Sequence, residues 1–201
     1  VESYNKAEID RLPGVVSSSV LRTKVVGRPR EGVAVLSEDY YSAVKARNQL
    51  NVNWKDIPEA YDDAKVFSTF HNEKTKKPTS GRTKGDDPNA LSAQVSTITA
   101  EYECPYQSHS PMEPMNATVW VKDENTIEAW LPTQNGQRAQ DNISDVTGIP
   151  VENITVHHTY LGGGFGRRSL QDFAIEAAIL SYQIKRPVKV IWSREDDTVQ
   201  G

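Results

Sequence analysis

Between Tyr160 and Leu180 the chain reads YLGGGFGRRSLQDFAIEAAIL, with four glycines inside five residues, then two arginines, then an apolar run. The preceding NITVHHTYL has the composition of a strand. After the turn, Leu170, Phe173, Ala174, Ala177, Ala178 and Ile179 leave little polar surface on a helix, so that helix is expected to be mostly buried. A strand that enters a helix through such a turn exposes unpaired backbone N–H groups. Together with the helix dipole, these favour an anion or a polar oxygen. Without a Cβ, a ligand can also approach the main chain closely, and the two arginines are candidates for bidentate contacts. Two familiar phosphate patterns fail, however. A GxGxxG reading from Gly162 and Gly164 meets Arg167 in its third position, and Arg167-Arg168 stand where a P-loop needs Lys-Ser/Thr. The bland alternative is that the glycines only allow a helix to pack closely on a sheet.

The rest of the chain reads as α+β. GVVSSSVL (14–21) and GVAVLS (32–37) are predicted strands. A helix is expected over SEDYYSAVKARNQL, capped by Ser37 or Asp39, and NVNW is a short strand. The tract from Asn72 to Asn89 mixes charges with Pro78, Gly81, Gly85 and Pro88 and is expected to be an exposed loop. AQVSTITAEYECPY suggests a long strand through Val95, Ile98 and Tyr102. ATVWVKDENTIEAWLP is a predicted hairpin around Asp123–Asn125. A helix from Asn135 should carry Ala139, Ile143 and Val146 on one face and stop at Gly148. RPVKVIW closes with a strand, giving β-β-β-α-β-α-β for the second half.

Composition narrows the function classes. A net charge of −4 and mixed-sign charge runs without interleaved aromatics argue against nucleic acid. No apolar run approaches a membrane span, and the N-terminus lacks the regions of a signal peptide. One cysteine, Cys104, excludes an internal disulfide and a cysteine-ligated iron–sulfur cluster within these residues. The chain begins at Val1 and stops after a predicted strand, so it is expected to be a piece of a longer protein.

Four stretches, in this order, carry a resemblance: GVAVLSEDYYSAVKARNQLNVNW, YECPYQSHSPMEPMNATVWV, AWLPTQNGQRAQDNISDVTGIPVENITV, and GGGFGRR with its buried helix and RPVKVIWSREDD. Together they resemble the molybdopterin-binding large subunit of the xanthine dehydrogenase and aldehyde oxidase superfamily, in particular the isoquinoline 1-oxidoreductase beta subunit type. The resemblance implies an α/β hammerhead-like domain over 1–93. The first part of a molybdopterin-binding α+β domain would follow over 94–201. It further implies a molybdenum–molybdopterin cofactor in its cytosine dinucleotide form, a separate [2Fe-2S] small subunit, and a downstream acceptor such as a cytochrome. The implied reaction oxidises an N-heterocycle or aldehyde with water-derived oxygen, and the localisation leans periplasmic, with the cytoplasm as the alternative. This piece is expected to supply one wall of the site, to be inactive alone and to retain no cofactor. A non-catalytic module binding a small anion is the alternative.

By residue, the resemblance implies that Gln134 hydrogen-bonds an oxygen ligand of the metal. An amide donor orients such a ligand without adding charge. Gly163, Gly164, Phe165 and Gly166 are implied to pass the metal and pterin, with Phe165 and Gly166 offering main-chain N–H groups. Arg167 and Arg168 occupy positions where relatives carry Gly-Lys, and at least one is a candidate for cofactor or substrate. On residue type alone, Phe165 reads as a core aromatic, and each arginine equally well as a solvated helix start. Ser169 stands where some purine-oxidising relatives have a glutamate, which argues against that mode of binding. Glu113, in HSPMEP, is compatible with a catalytic carboxylate and with a structural corner, and His109 with a packing role. His157 and His158, adjacent in a strand, face opposite sides and cannot chelate one metal.

Overall fold

The computed structural model describes residues 1–25, 27–55, 62–77, 79, 81, 96 and 98–200. Strands β1 (Ser3–Tyr4), β2 (Val15–Val25), β3 (Arg28–Ser37) and β4 (Val52–Asn53) occupy the first quarter, with helices α1 (Lys6–Ile9) and α2 (Tyr40–Arg47). Helix α3 (Asp63–Lys74) follows. Then come β5 (Asn116–Val121), β6 (Ile127–Leu131), α4 (Gly136–Thr147), β7 (Ile154–His158), α5 (Asp172–Ile184), β8 (Val188–Ile191) and α6 (Arg194–Gln200). The architecture is α+β. Residues Val1–Lys55 and Ser108–Gly201 form one compact unit and Asp56–Gln107 a second.

In the first unit, β5 and β6 make the expected hairpin, with Val119 opposite Ala129. Its alternation is strict: Ala117, Val119, Val121, Ile127, Ala129 and Leu131 are all fully buried. β7 joins β6 in parallel and β8 joins β5 antiparallel, giving the order β7-β6-β5-β8. Ala139 and Ile143 of α4 and Phe173, Ala174, Ala177 and Ala178 of α5 complete this core. α5 also turns Leu180 toward Leu21 and Leu36 of the long β2–β3 hairpin, so two of its faces are covered, as its composition requires. Asp39 caps α2 by accepting from Ser42 N, and Gly148 ends α4 in the left-handed conformation.

Several expectations are corrected. Val146 is 38% exposed and does not share the buried face of α4, because only Ala139 and Ile143, one helical turn apart, meet the sheet. Asn72–Lys74 end α3 instead of opening a loop. None of its residues is buried, although Ala64, Val66, Phe67 and Phe70 fall at helical spacing and are the signal that could have found it. Of the remaining tract, 75–77, 79 and 81 are exposed, and the rest lies outside the described residues. Residues 98–107 form no strand: Ile98 and Tyr102 are 94% and 89% exposed. Glu101 and Glu103 instead pair with Lys74 and His71 of α3. Val95 and the expected boundary near residue 93 lie outside the described residues. REDDTVQ, unassigned from sequence, is helical as α6.

Candidate functional site

Strand directions bring distant sequence together. Because β6 and β7 are parallel, the segments that follow them, Pro132–Asn135 and Thr159–Ser169, emerge at one edge of the sheet. β5 runs antiparallel to β6, so Pro111–Met115, which lead into it, arrive at the same edge. β8 runs antiparallel to β5 and delivers Trp192 there, where its N–H donates to Met115 O at 2.9 Å. Edges at the carboxyl ends of parallel strands are common ligand sites because several loops converge on them.

Gln134 and the glycine turn meet directly. The N–H groups of Gly166 and Arg168 both donate to Gln134 Oε1, each at 3.2 Å. Two donors on one atom identify that atom as the oxygen. The amide NH2, on the other side of the same carbon, has no partner among the described residues, and the residue is exposed. The turn needs glycine for two separate reasons. Gly166 has φ +102°, and a Cβ on Gly164 would stand 2.8 Å from Gln134 Oε1. Arg167 N donates to Gly164 O at 2.8 Å. The main-chain N–H groups of Gly163, Gly164 and Phe165 have no acceptor among the described residues. The N–H of Gly166 is engaged by Gln134, so the open donors run from Gly163 to Phe165 instead of Phe165 to Gly166. Phe165 is 74% exposed with φ +54°, not a core aromatic. A non-glycine residue at positive φ with an exposed ring is uncommon and belongs to a backbone fixed by its surroundings.

The arginines are corrected more fully. Arg167 and Arg168 are 1% and 0% exposed and point into the protein. Arg167 forms a two-pronged ion pair with Asp172, at 3.0 and 2.8 Å, and lies over the Trp192 ring at 5.1 Å. Its guanidinium is therefore held inside the protein by Asp172, while its Nε has no partner among the described residues. Arg168 Nη2 reaches Glu113 Oε2 at 2.8 Å. Burial pulls the Arg168 guanidinium below its ordinary value, with Glu113 and then Asp197 opposing that fall. Solvated arginine was the wrong alternative because both side chains find oxygen partners below the turn.

Glu113 has the geometry of a structural corner. Its Oε2 accepts from Gly162 N at 2.9 Å and its Oε1 from Asn116 Nδ2 at 2.9 Å. His109 lies near Gly166, 3.7 Å from where a Cβ would be. His157 stacks on Trp130 at 5.0 Å, whereas His158 packs beside Gly136, so the two rings do have separate surroundings. Sequence reading missed Asp172, Thr133 and Gln171. Thr133 Oγ1 accepts from Gln171 Nε2 at 3.0 Å, which in turn donates to Arg168 O at 3.1 Å. A polar pair, Gln171-Asp172, opening an otherwise apolar helix is the signal that could have found two of them.

An exposed surface of free N–H groups and a fixed amide donor fits an oxygen-bearing or anionic ligand. The family model for the molybdopterin cofactor-binding domain matches residues 70–201. The chain is 33% identical to the isoquinoline 1-oxidoreductase subunit beta of Brevundimonas diminuta, across 83% of this chain and 22% of that protein. It is 30% identical to the aldehyde oxidoreductase molybdenum-binding subunit PaoC of Escherichia coli K12, across 80% of this chain and 22% of the relative. The chain thus spans about a fifth of the length of these curated relatives. In structure, quinoline 2-oxidoreductase from Pseudomonas putida 86 superposes with a TM-score of 0.71 at 19% identity, covering 98% of this chain and 29% of that one. The family match and these identities place the chain: it belongs to the molybdopterin cofactor-binding domain family of molybdenum-binding large subunits.

Proposed function

We propose that this chain forms one wall of the molybdopterin site in the large subunit of a molybdenum hydroxylase that oxidises an N-heterocycle or an aldehyde. The observation that carries this reading is the Gln134 amide. Its oxygen is pinned by two main-chain donors, so its NH2 is kept available beside the open N–H groups of Gly163, Gly164 and Phe165. These four residues would hold the cofactor, and Gly166 shapes the turn. When bound, the molybdenum centre supplies the two-electron oxidation of the substrate carbon. The protein's part is preorganisation: donors already aimed at an oxygen need not reorient during the reaction. The cytosine dinucleotide form of the cofactor, a [2Fe-2S] partner subunit and a cytochrome-type acceptor belong to the same reading. So do a hammerhead-like domain over 1–93 and the absence of activity in these 201 residues alone.

The test is molybdenum and released-nucleotide content of the full-length parent, purified with its iron–sulfur partner. About one molybdenum per large subunit with a cytosine nucleotide is expected. Absence of both, in a host that loads a control molybdenum hydroxylase, would favour the small-anion module instead.

A further inference from the structure

We propose that Arg168 is a positioning residue that sets the direction of the Gln134 amide through its own main chain. The relevance of that direction to a cofactor rests on the function proposed above; the hydrogen-bond geometry does not. Four bonds fix the guanidinium. Nε donates to Gly163 O at 2.7 Å, Nη1 to Pro132 O at 3.3 Å, and Nη2 to Glu113 O at 2.7 Å and Glu113 Oε2 at 2.8 Å. One side chain thereby ties together the glycine turn, the segment carrying Gln134 and the corner before β5. The backbone of the same residue holds Gln134 at both ends: Arg168 N donates to Gln134 Oε1 at 3.2 Å, and Arg168 O accepts from Gln134 N at 3.1 Å.

The consequence is directional. Rotating the amide by half a turn would aim its NH2 at the N–H groups of Gly166 and Arg168, leaving two donors facing two donors. The orientation holds only while those N–H groups converge on one point, and their convergence depends on the closed turn. Glu113 supports the closure from outside by accepting from Gly162 N and donating its own N–H to Gly162 O at 3.1 Å. No neutral side chain supplies donors to three carbonyls in this planar spread, and lysine lacks the fork geometry.

Amide hydrogen exchange in the full-length parent tests this, read at Gly166 and at residue 168, with Val119 and Ala129 in the β5–β6 core as internal reference. In Arg168→Lys, exchange at the two turn amides should rise about tenfold over the reference, as expected for lost local hydrogen bonding. In Glu113→Gln, which keeps the main-chain bonds of Arg168, the rise should be smaller and confined to the same amides. The molybdenum EPR signal of the loaded parent should shift in Arg168→Lys in the same direction as in a parallel Gln134→Ala variant. Equal acceleration of turn and core amides, or none in a folded variant, overturns the proposal. If Arg168→Lys does not fold, the Glu113→Gln exchange pattern decides by the same criterion. A parent without molybdenum would defeat the cofactor reading yet leave the exchange result standing.

Discussion

A Cβ at Gly164 would collide with Gln134 Oε1, whereas at Gly166 the obstacle is a φ of +102°. The two glycines should therefore fail differently. Gly164→Ala leaves the backbone in an allowed conformation and forces the Gln134 amide aside. It is expected to lower molybdenum content in the parent while moving the melting temperature little. Gly166→Ala meets a conformation that L-residues rarely adopt and should cost about 1–3 kcal/mol, read as a lower urea midpoint. A result with both variants equally unstable would mean that the Gln134 contact does not govern position 164. The four glycines were visible in the sequence, and with them a backbone approached closely. Which glycine served conformation and which served space was not, since both depend on the path of the turn against Gln134.

At the scale of elements, α5 and β8 are joined by a buried carboxyl. Glu176 accepts from Trp192 Nε1 at 2.7 Å, and burial raises its pKa to about 7, only partly opposed by that hydrogen bond. Its ordinary value is 4.5. Between these values the folded state keeps a proton that the unfolded chain has released, so stability is greatest below about 4.5 and falls as pH rises toward 7. The loss is on the order of 3 kcal/mol. Urea midpoints measured at pH 5 and 8 should decline in the wild type, and Glu176→Gln should flatten that decline. An equal slope in the variant would assign it to other groups. Periodicity identified α5 as a buried helix. It did not single out Glu176, which reads as the polar residue on an apolar helix until its neighbours are known.

At the scale of the whole compact unit, the β2–β3 hairpin and the glycine turn meet at Asp172, the first residue of α5. Arg167 grips it with two bonds from the turn, and Arg30 of β3 adds a third at 2.9 Å. The two arginines are not equivalent, because Arg30 remains one-third exposed and Arg167 does not. Asp172→Ala strands a buried guanidinium and should cost about 3–5 kcal/mol. Arg30→Ala leaves the inner pair intact and should cost about 1 kcal/mol or less. Thermal unfolding of the two variants separates these values, and similar losses would show that Arg30 carries more of the pairing than its exposure suggests.

The sequence by itself determined the hairpin of β5 and β6, the buried character of α5, the stop of α4 at Gly148 and the presence of a ligand-approachable turn. Each is written in a local period or in the conformational needs of single residues. Tertiary structure alone decided that Gln134 meets the turn through its oxygen, that both arginines point inward and that Phe165 points out. It also turned the described end of the strand expected over 93–106, residues 98–106, into exposed chain beside α3. The main physical reason is that decisive partners lie some 30 to 140 residues away in the chain, as with Gln134 and Gly166 or Arg30 and Asp172, although Arg167 pairs with Asp172 only five residues on. Only the parallel pairing of β6 with β7 and the closure of the hairpin over α5 bring those groups within hydrogen-bonding distance.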